Sequence, residues 1–305
     1  MIDFVKLKIL NPDIDGIRKL PFLEWDQLAN ETTGDIKEYT AKFNGLTVVI
    51  KYNQYLYISG SLHKYWNFTQ TGTDQNYNDF TFSSLTWTIG DICTRFNLNP
   101  INCKIENIEY GVNIIPPIPA NVLLMSVINH KGKPFTQEYD SNKYFRECEY
   151  QQYFIKIYNK GLQYHRPENI LRFENKTIRM EHLRKTGIKT LADLLNRDKI
   201  SSLGMILRGD LSDLLLYDYT IQEKDLNASE RFILSKGQIP TYWTNLRKSN
   251  PDNYYKKRKR FRELVNQYGK QNIQETISKH IIQKWNDLLQ YDDRTLQELP
   301  LYLKG

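Results

Sequence analysis

Up to about residue 180 the chain alternates apolar and polar positions, whereas its last third repeats apolar positions every three or four residues. A period of two belongs to strands with one buried face, and a period near 3.6 to amphipathic helices. Alternation predicts strands over residues 1–10, 45–52, 55–64, 103–115, 153–160 and 169–180. Leu85, Ile89, Ile92 and Phe96 recur at helical spacing behind Ser83 or Ser84 as N-cap, which predicts a helix covering the apolar side of the sheet. Pro116-Pro117-Ile118-Pro119 is expected to be extended, with a short helical or extended segment after Ala120.

Beyond Glu181, Leu191, Leu194 and Leu195 behind a Thr190 cap predict one short helix, and Leu211, Leu214 and Leu215 another. Gly237-Gln238-Ile239-Pro240 and Ser249-Asn250-Pro251-Asp252 break the helical region, after which a helix runs through Phe261, Leu264 and Val265. The expected class is α+β, a central antiparallel β-sheet with flanking helices followed by a helical C-terminal region. A boundary near residue 200 gives domains 1–200 and 201–305.

At 305 residues and 40% apolar composition, the chain is long enough to bury its own core. Cys93, Cys103 and Cys148 lie far apart without metal-ligand spacing, so neither a disulfide framework nor a zinc knuckle is expected, and a reducing, cytoplasmic setting fits. The first ten residues read as a strand rather than a targeting peptide, and no apolar run is long enough to span a membrane. A Gly-x-Ser-x-Gly elbow, a phosphate-cradling glycine loop before Lys-Ser or Lys-Thr, and a His-Glu-x-x-His helix are all missing, which disfavours a nucleotide-driven motor.

The formal charge of +7 favours a polyanionic partner. Its distribution says more than its total. Arg247, Lys248, Lys256, Lys257, Arg258, Lys259, Arg260 and Arg262 stand against Asp252 alone, with Tyr254, Tyr255 and Phe261 interleaved. Such cations neutralise phosphates and release counterions, while aromatics among them can stack on exposed bases. A solvated helix face has the same composition, so the segment is a candidate DNA contact.

Three strands carry polar faces that can hold chemistry. On residues 153–160, Phe154, Lys156, Tyr158 and Lys160 share one face, and Tyr153, Ile155 and Ile157 the other. On the next strand Leu171 and Phe173 oppose Arg172, Glu174 and Lys176. Tyrosine, lysine and carboxylate on a wet face suit phosphodiester chemistry, although a solvated antiparallel sheet alternates in the same way without any. On residues 105–114, Glu109 and Asn113 flank Gly111. Two oxygen ligands around an open slot suit a hard divalent cation, and a strand glycine at a bulge is the alternative. His63, on one face with Ser59 and Ser61, is either structural or a ligand for manganese or magnesium.

Taken in order, Gly60-Ser61-Leu62-His63-Lys64, Glu109-Tyr110-Gly111-Val112-Asn113, Ile157-Tyr158-Asn159-Lys160-Gly161 and Leu171-Arg172-Phe173-Glu174 resemble the rolling-circle replication initiators of phages and plasmids. These belong to the HUH-type tyrosine endonuclease superfamily, and the likeness is nearest to the filamentous-phage gene II type. Thr186 to Leu194 and the basic Tyr254 to Leu264 segment extend the resemblance over most of the chain.

The resemblance implies a Rep nuclease-like fold and an ATP-independent endonuclease and strand transferase. Its tyrosine, here Tyr158, attacks a phosphodiester, keeps the 5′ phosphate as a covalent phosphotyrosine and frees a 3′ hydroxyl for a host polymerase. Lys156 and Lys160 would favour phenolate and offset transition-state charge. A divalent metal, Mg2+ or Mn2+, would be held by Glu109, His63, Asn113 and Glu174. Many relatives in that superfamily carry two histidines around an apolar residue; this chain has no His-x-His, so carboxylate and amide ligands would take their place. Tyr164 is the nearest second tyrosine for termination. The partners implied are single-stranded or origin DNA and a host helicase and polymerase, in the cytoplasm of a bacterial host. The alternatives are a noncatalytic sequence-specific DNA-binding protein, a plasmid mobilisation relaxase sharing the chemistry, and a reading of the tyrosines as packing alone.

Overall fold

Val5, Leu7 and Ile9 are buried along the first strand, as alternation requires of a strand with a covered face, and Ile2 is buried across a shift of register. The computed structural model describes residues 1–136 and 144–290. Strands run in the order β1 (Ile2–Ile9), β2 (Asp26–Ala29), β3 (Ile36–Phe43), β4 (Leu46–Lys51), β5 (Tyr55–Ser61), β6 (Cys103–Ile114), β7 (Val127–His130), β8 (Lys133–Pro134), β9 (Phe145–Glu149), β10 (Tyr153–Asn159), β11 (Leu171–Thr177) and β12 (Leu214–Leu216). The α-helices are α1 (Ile14–Arg18), α2 (Leu62–Thr71), α3 (Phe82–Arg95), α4 (Ala120–Ser126), α5 (Lys160–Gln163), α6 (Arg197–Ser212), α7 (Ala228–Gly237), α8 (Pro240–Ser249), α9 (Pro251–Tyr268) and α10 (Ile273–Leu288). The fold is α+β: a nine-stranded antiparallel sheet ordered β2-β3-β4-β5-β1-β6-β11-β10-β9, a small sheet β12-β7-β8, and helices in the C-terminal region.

The chain divides into two compact units assembled from separated stretches. Among the described residues, the first comprises Met1–Gly111, Asn175–Gly204 and residues 285–290; the second comprises Val112–Glu174 and Met205–Lys284. It thus passes between units at Gly111, Glu174, Gly204 and Lys284, against the single boundary expected near residue 200.

In the first unit β1 lies between β5 and β6, with Phe4 opposite Ser61 and Lys8 opposite Lys104. Leu85, Ile89, Ile92 and Phe96 are all buried, as their spacing predicts. The N-cap of α3 is Thr81 rather than Ser83 or Ser84: its side chain accepts the Ser84 N–H at 3.1 Å, which places both serines inside the first turn. The strand expected to reach residue 64 stops at Ser61. The Ser61 hydroxyl oxygen accepts the Lys64 N–H at 3.1 Å and caps α2, so His63 opens a helix instead of ending a strand. Gly60 permits the close approach of β4, since a Cβ there would sit 2.6 Å from the Gly45 carbonyl oxygen.

The second unit packs Ile128, Leu215, Leu234, Trp243, Tyr254 and Phe261 into one cluster, and the Trp243 indole donates to the Gly237 carbonyl at 2.7 Å. Leu214 and Leu215, expected in a helix, belong to β12, with Leu214 opposite His130 of β7. Three consecutive leucines fit either period, and pairing with β7 decides between them. Pro240 and Pro251 occupy the first turns of α8 and α9, and the Asn250 side chain caps α9 by accepting the Asn253 N–H at 3.1 Å. Among the described residues no helix is long and apolar enough to cross a membrane, and the three cysteines are free and buried.

Candidate active site in the second unit

On β10 the side chain of Tyr158 lies opposite Phe145, and Lys156 opposite Glu147, so these four share a face. The strand ends at Asn159, whose side-chain oxygen accepts the Leu162 N–H at 3.0 Å and starts α5. Lys160 therefore opens a helix, although alternation alone places it on the strand. Its backbone N–H is anchored on the Ile170 carbonyl at 2.7 Å. Gly161 must lack a side chain, because a Cβ would lie 2.1 Å from the Glu168 carbonyl oxygen. From this turn the Lys160 ammonium reaches back to 3.4 Å from the Tyr158 hydroxyl. It stands 5.3 Å from the centre of the Tyr158 ring and 5.4 Å from that of Tyr164.

The Tyr158 hydroxyl donates in turn to Glu174 Oε2 at 3.4 Å. Arg172 Nε approaches the same oxygen at 2.8 Å, and Lys156 Nζ lies 3.5 Å from Oε1. Arg172 also donates to Asn113 Oδ1 at 3.2 Å. The face expected to be wet is covered: Lys160 and Arg172 are 1% exposed, Glu174 2% and Tyr158 8%. A tail of polar residues on one strand face says nothing about what packs over it, which is why alternation misplaced this face. Buried cations are tolerable only when paired, and here Lys156, Lys160 and Arg172 gather around one phenol and the Glu174 carboxylate. A cleft of about 180 Å³, lined by Asn121, Asn159, Arg166, Glu168 and Asn169 among others, opens next to the α5 turn.

The remaining candidate ligands belong to the first unit. Glu109 Oε1 pairs with Lys176 Nζ at 3.3 Å. His63 is 1% exposed, stacks on Phe80 at 4.9 Å and places Nε2 2.7 Å from Asn78 Oδ1. Glu174, Asn113, Glu109 and His63 are thus each engaged by a cation or an amide, and among the described residues no three His, Cys, Asp or Glu side chains gather. Glu109 and Glu174 would each have to leave its cation before it could bind a metal ion.

The eight basic candidates fall into two groups. Arg258 donates to the Asp213 carbonyl at 2.6 Å, and Arg262 to the carbonyls of Ser212 and Leu214 at 2.5 and 2.6 Å, so both are spent on the C-terminal end of α6. Burial, then the adjacent Arg258 cation, brings the Arg262 pKa down to about 10, which still leaves it charged at neutral pH. Arg260 pairs with Glu230 and Glu263, and Arg247 donates to the Lys131 carbonyl. Lys248, Lys256, Lys257 and Lys259 are exposed and have no ion-pair partner among the described residues.

Sequence reasoning placed Arg172 on the right face but assigned it no role. Its signal was the two-residue spacing to Glu174, which on a strand puts guanidinium and carboxylate side by side. Comparison with protein-family models and with curated proteins finds no match.

Proposed function

We propose that this chain nicks and rejoins a DNA strand through Tyr158, as an initiator of rolling-circle replication for a phage or plasmid in the bacterial cytoplasm. Its substrate would be single-stranded or origin DNA, with a host helicase and polymerase taking over the 3′ end. The observation that carries this reading is the buried convergence of Tyr158, Lys160 and Glu174. In the proposed step the Tyr158 oxygen attacks phosphorus while its proton passes to Glu174. The P–O3′ bond breaks, and the 3′ oxygen leaves as a hydroxyl on taking a proton from the Lys160 ammonium or water. Lys156 and Arg172 offset the charge that builds on the phosphoryl oxygens. The phosphotyrosine ester keeps the energy of the broken bond, so attack by a 3′ hydroxyl restores the strand without ATP.

The Mg2+ or Mn2+ ion expected alongside belongs to the proposal.

The test is incubation with end-labelled single-stranded origin DNA from the protein's own replicon, with Mg2+, Mn2+ or a chelator, followed by denaturing electrophoresis and mapping of any adduct. A denaturant-resistant adduct at Tyr158, lost in Tyr158→Phe while DNA binding persists, is the expected result. An adduct on another tyrosine would remove Tyr158 from the mechanism. A noncatalytic sequence-specific DNA-binding protein is the second reading, favoured by the closed set of charge partners around Glu174. It predicts binding with no adduct under every condition.

A further inference from the structure

The turn between β7 and β8 carries a lysine where the backbone favours another residue. His130 pairs with Lys133, and the two residues between them have positive φ, 52° at Lys131 and 78° at Gly132. Two positive φ values define the type I′ hairpin turn, whose first position prefers Asn, Asp or Gly because a Cβ crowds the left-handed backbone. Lys131 occupies that position although asparagine would fit it better. Strain that surroundings hold in place is a pointer to function.

The surroundings hold this turn firmly. Gly132 N–H donates to Asn129 Oδ1 at 3.0 Å, Lys131 N–H to the Asp213 carbonyl at 3.1 Å, and the Thr244 hydroxyl to the Gly132 carbonyl at 3.1 Å. Arg247 donates to the Lys131 carbonyl, which fixes its guanidinium at the tip.

Two stacked tyrosines aim the lysines. The rings of Tyr150 and Tyr153 lie parallel, 4.7 Å apart, across the β9–β10 turn. Lys131 Nζ is 3.3 Å from the Tyr153 hydroxyl, and Lys133 Nζ is 5.3 Å from the centre of the Tyr150 ring. One cation thus sits against each ring of the pair. Lys133 and Arg247 are exposed, and the Lys131 side chain is 38% exposed beside its Asp213 partner at 3.4 Å. Two solvent-reaching lysines of the turn and Arg247 of α8 outnumber the two carboxylates, Asp213 and Asp210, that act on Lys131.

We propose that Lys131, Lys133 and Arg247 form a contact surface for the phosphate backbone of DNA, distinct from the exposed lysines of α9. The proposal rests on the DNA-directed reading above and adds to it the side of the second unit on which the strand runs. Phosphodiester oxygens are the ligand chemistry, read without regard to base sequence.

The probe is a fluorescein-labelled mixed-sequence DNA, single-stranded and duplex, titrated by anisotropy at several salt concentrations against the wild type and Lys131→Asn/Lys133→Gln. Asparagine relieves the left-handed backbone, so the variant is expected to melt no lower than the wild type. Affinity is expected to fall about tenfold at low salt, and the slope of log K against log salt to flatten by about 1.5 to 2 for two lost phosphate contacts. Lys131→Arg/Lys133→Arg should keep most of the affinity. Equal affinity and slope in the wild type and the neutralised variant would overturn this surface while leaving the DNA reading standing, and would point to an acidic protein as its partner. No DNA binding by the wild type would overturn both, and loss of Tyr158 adducts with the salt effect intact would overturn only the nicking chemistry.

Discussion

Arg172 Nε meets Glu174 Oε2 at 2.8 Å with both side chains sealed from solvent, and Lys156 meets the other carboxylate oxygen at 3.5 Å. Arg172→Met would leave Glu174 short of its nearest partner and is expected to destabilise the protein by about 3–5 kcal/mol in urea unfolding. Adding Glu174→Leu should recover part of that loss, because the two sites share one ion pair. A coupling of about 1–3 kcal/mol in the double-mutant cycle is expected, and additive losses would mean that the pair is not energetically linked.

Lys160 can be emptied of charge without emptying its volume. Lys160→Met keeps a linear side chain in a fully buried position but removes a donor from the Tyr158 hydroxyl, so a loss of about 1–3 kcal/mol is expected. Adduct formation at Tyr158 should drop by about 100-fold or more if the ammonium offsets charge at the phenol. Single-turnover rates on the labelled origin strand measure this.

Gly161→Ala should mimic that loss from the backbone. The added methyl collides with the Glu168 carbonyl and forces the α5 turn to move, at a cost of about 1–3 kcal/mol. Slower adduct formation at unchanged DNA affinity is the expected signature.

His130 makes stability depend on pH. Burial, then the Lys131 charge, pushes its pKa down from 6.5 to about 3, outweighing the Asp213 carboxylate and an Asp210 Oδ1 that lies 4.0 Å from Nε2. The folded state keeps the imidazole neutral, whereas the unfolded chain protonates it below its ordinary pKa. Its contribution is thus complete above pH 6.5 and is lost as pH falls toward 3. Stability should decline by about 1.4 kcal/mol per pH unit in that window from this group. His130→Asn is expected to flatten the slope measured by urea midpoints between pH 7 and 5, and an unchanged slope would assign the pH dependence elsewhere.

Neutralising the basic segment should produce two different phenotypes. Lys256→Gln with Lys259→Gln is expected to weaken DNA binding and flatten its salt dependence by about 1.5 to 2, with stability held. Arg258→Gln or Arg262→Gln should instead lower the melting temperature, because each removes donors from the end of α6.

Legibility of the chain follows what each element buries. β4 alternates cleanly, and β1, β6, β10 and β11, which also bury polar positions, were readable to within a few residues, as was α3 with its apolar stripe. β2 is exposed at all four positions and gives no contrast, and β9 buries Arg146 and Cys148, so its inward face does not look apolar. α2 hides His63 and Asn67 beside Leu62 and Tyr65, which breaks the apolar period. At the site, Lys156 with Tyr158 and Arg172 with Glu174 were grouped correctly, whereas Lys160 and His63, read as strand residues, lie in helices. The covering of that face, the turn at Asn159 and the diversion of Arg258 and Arg262 into α6 depend on contacts far along the chain, which no local pattern carries.

The α5 turn ties Lys160 to a different neighbour from the one it serves. Its N–H, and that of Gly161, hang on the Ile170 carbonyl just before β11, and the intervening segment folds back through the Arg166 N–H on Gly161. The ammonium's distance from Tyr158 is therefore set by the length of chain between β10 and β11. Adding or removing a residue at positions 163–167 would detune the tyrosine without altering any group that touches it.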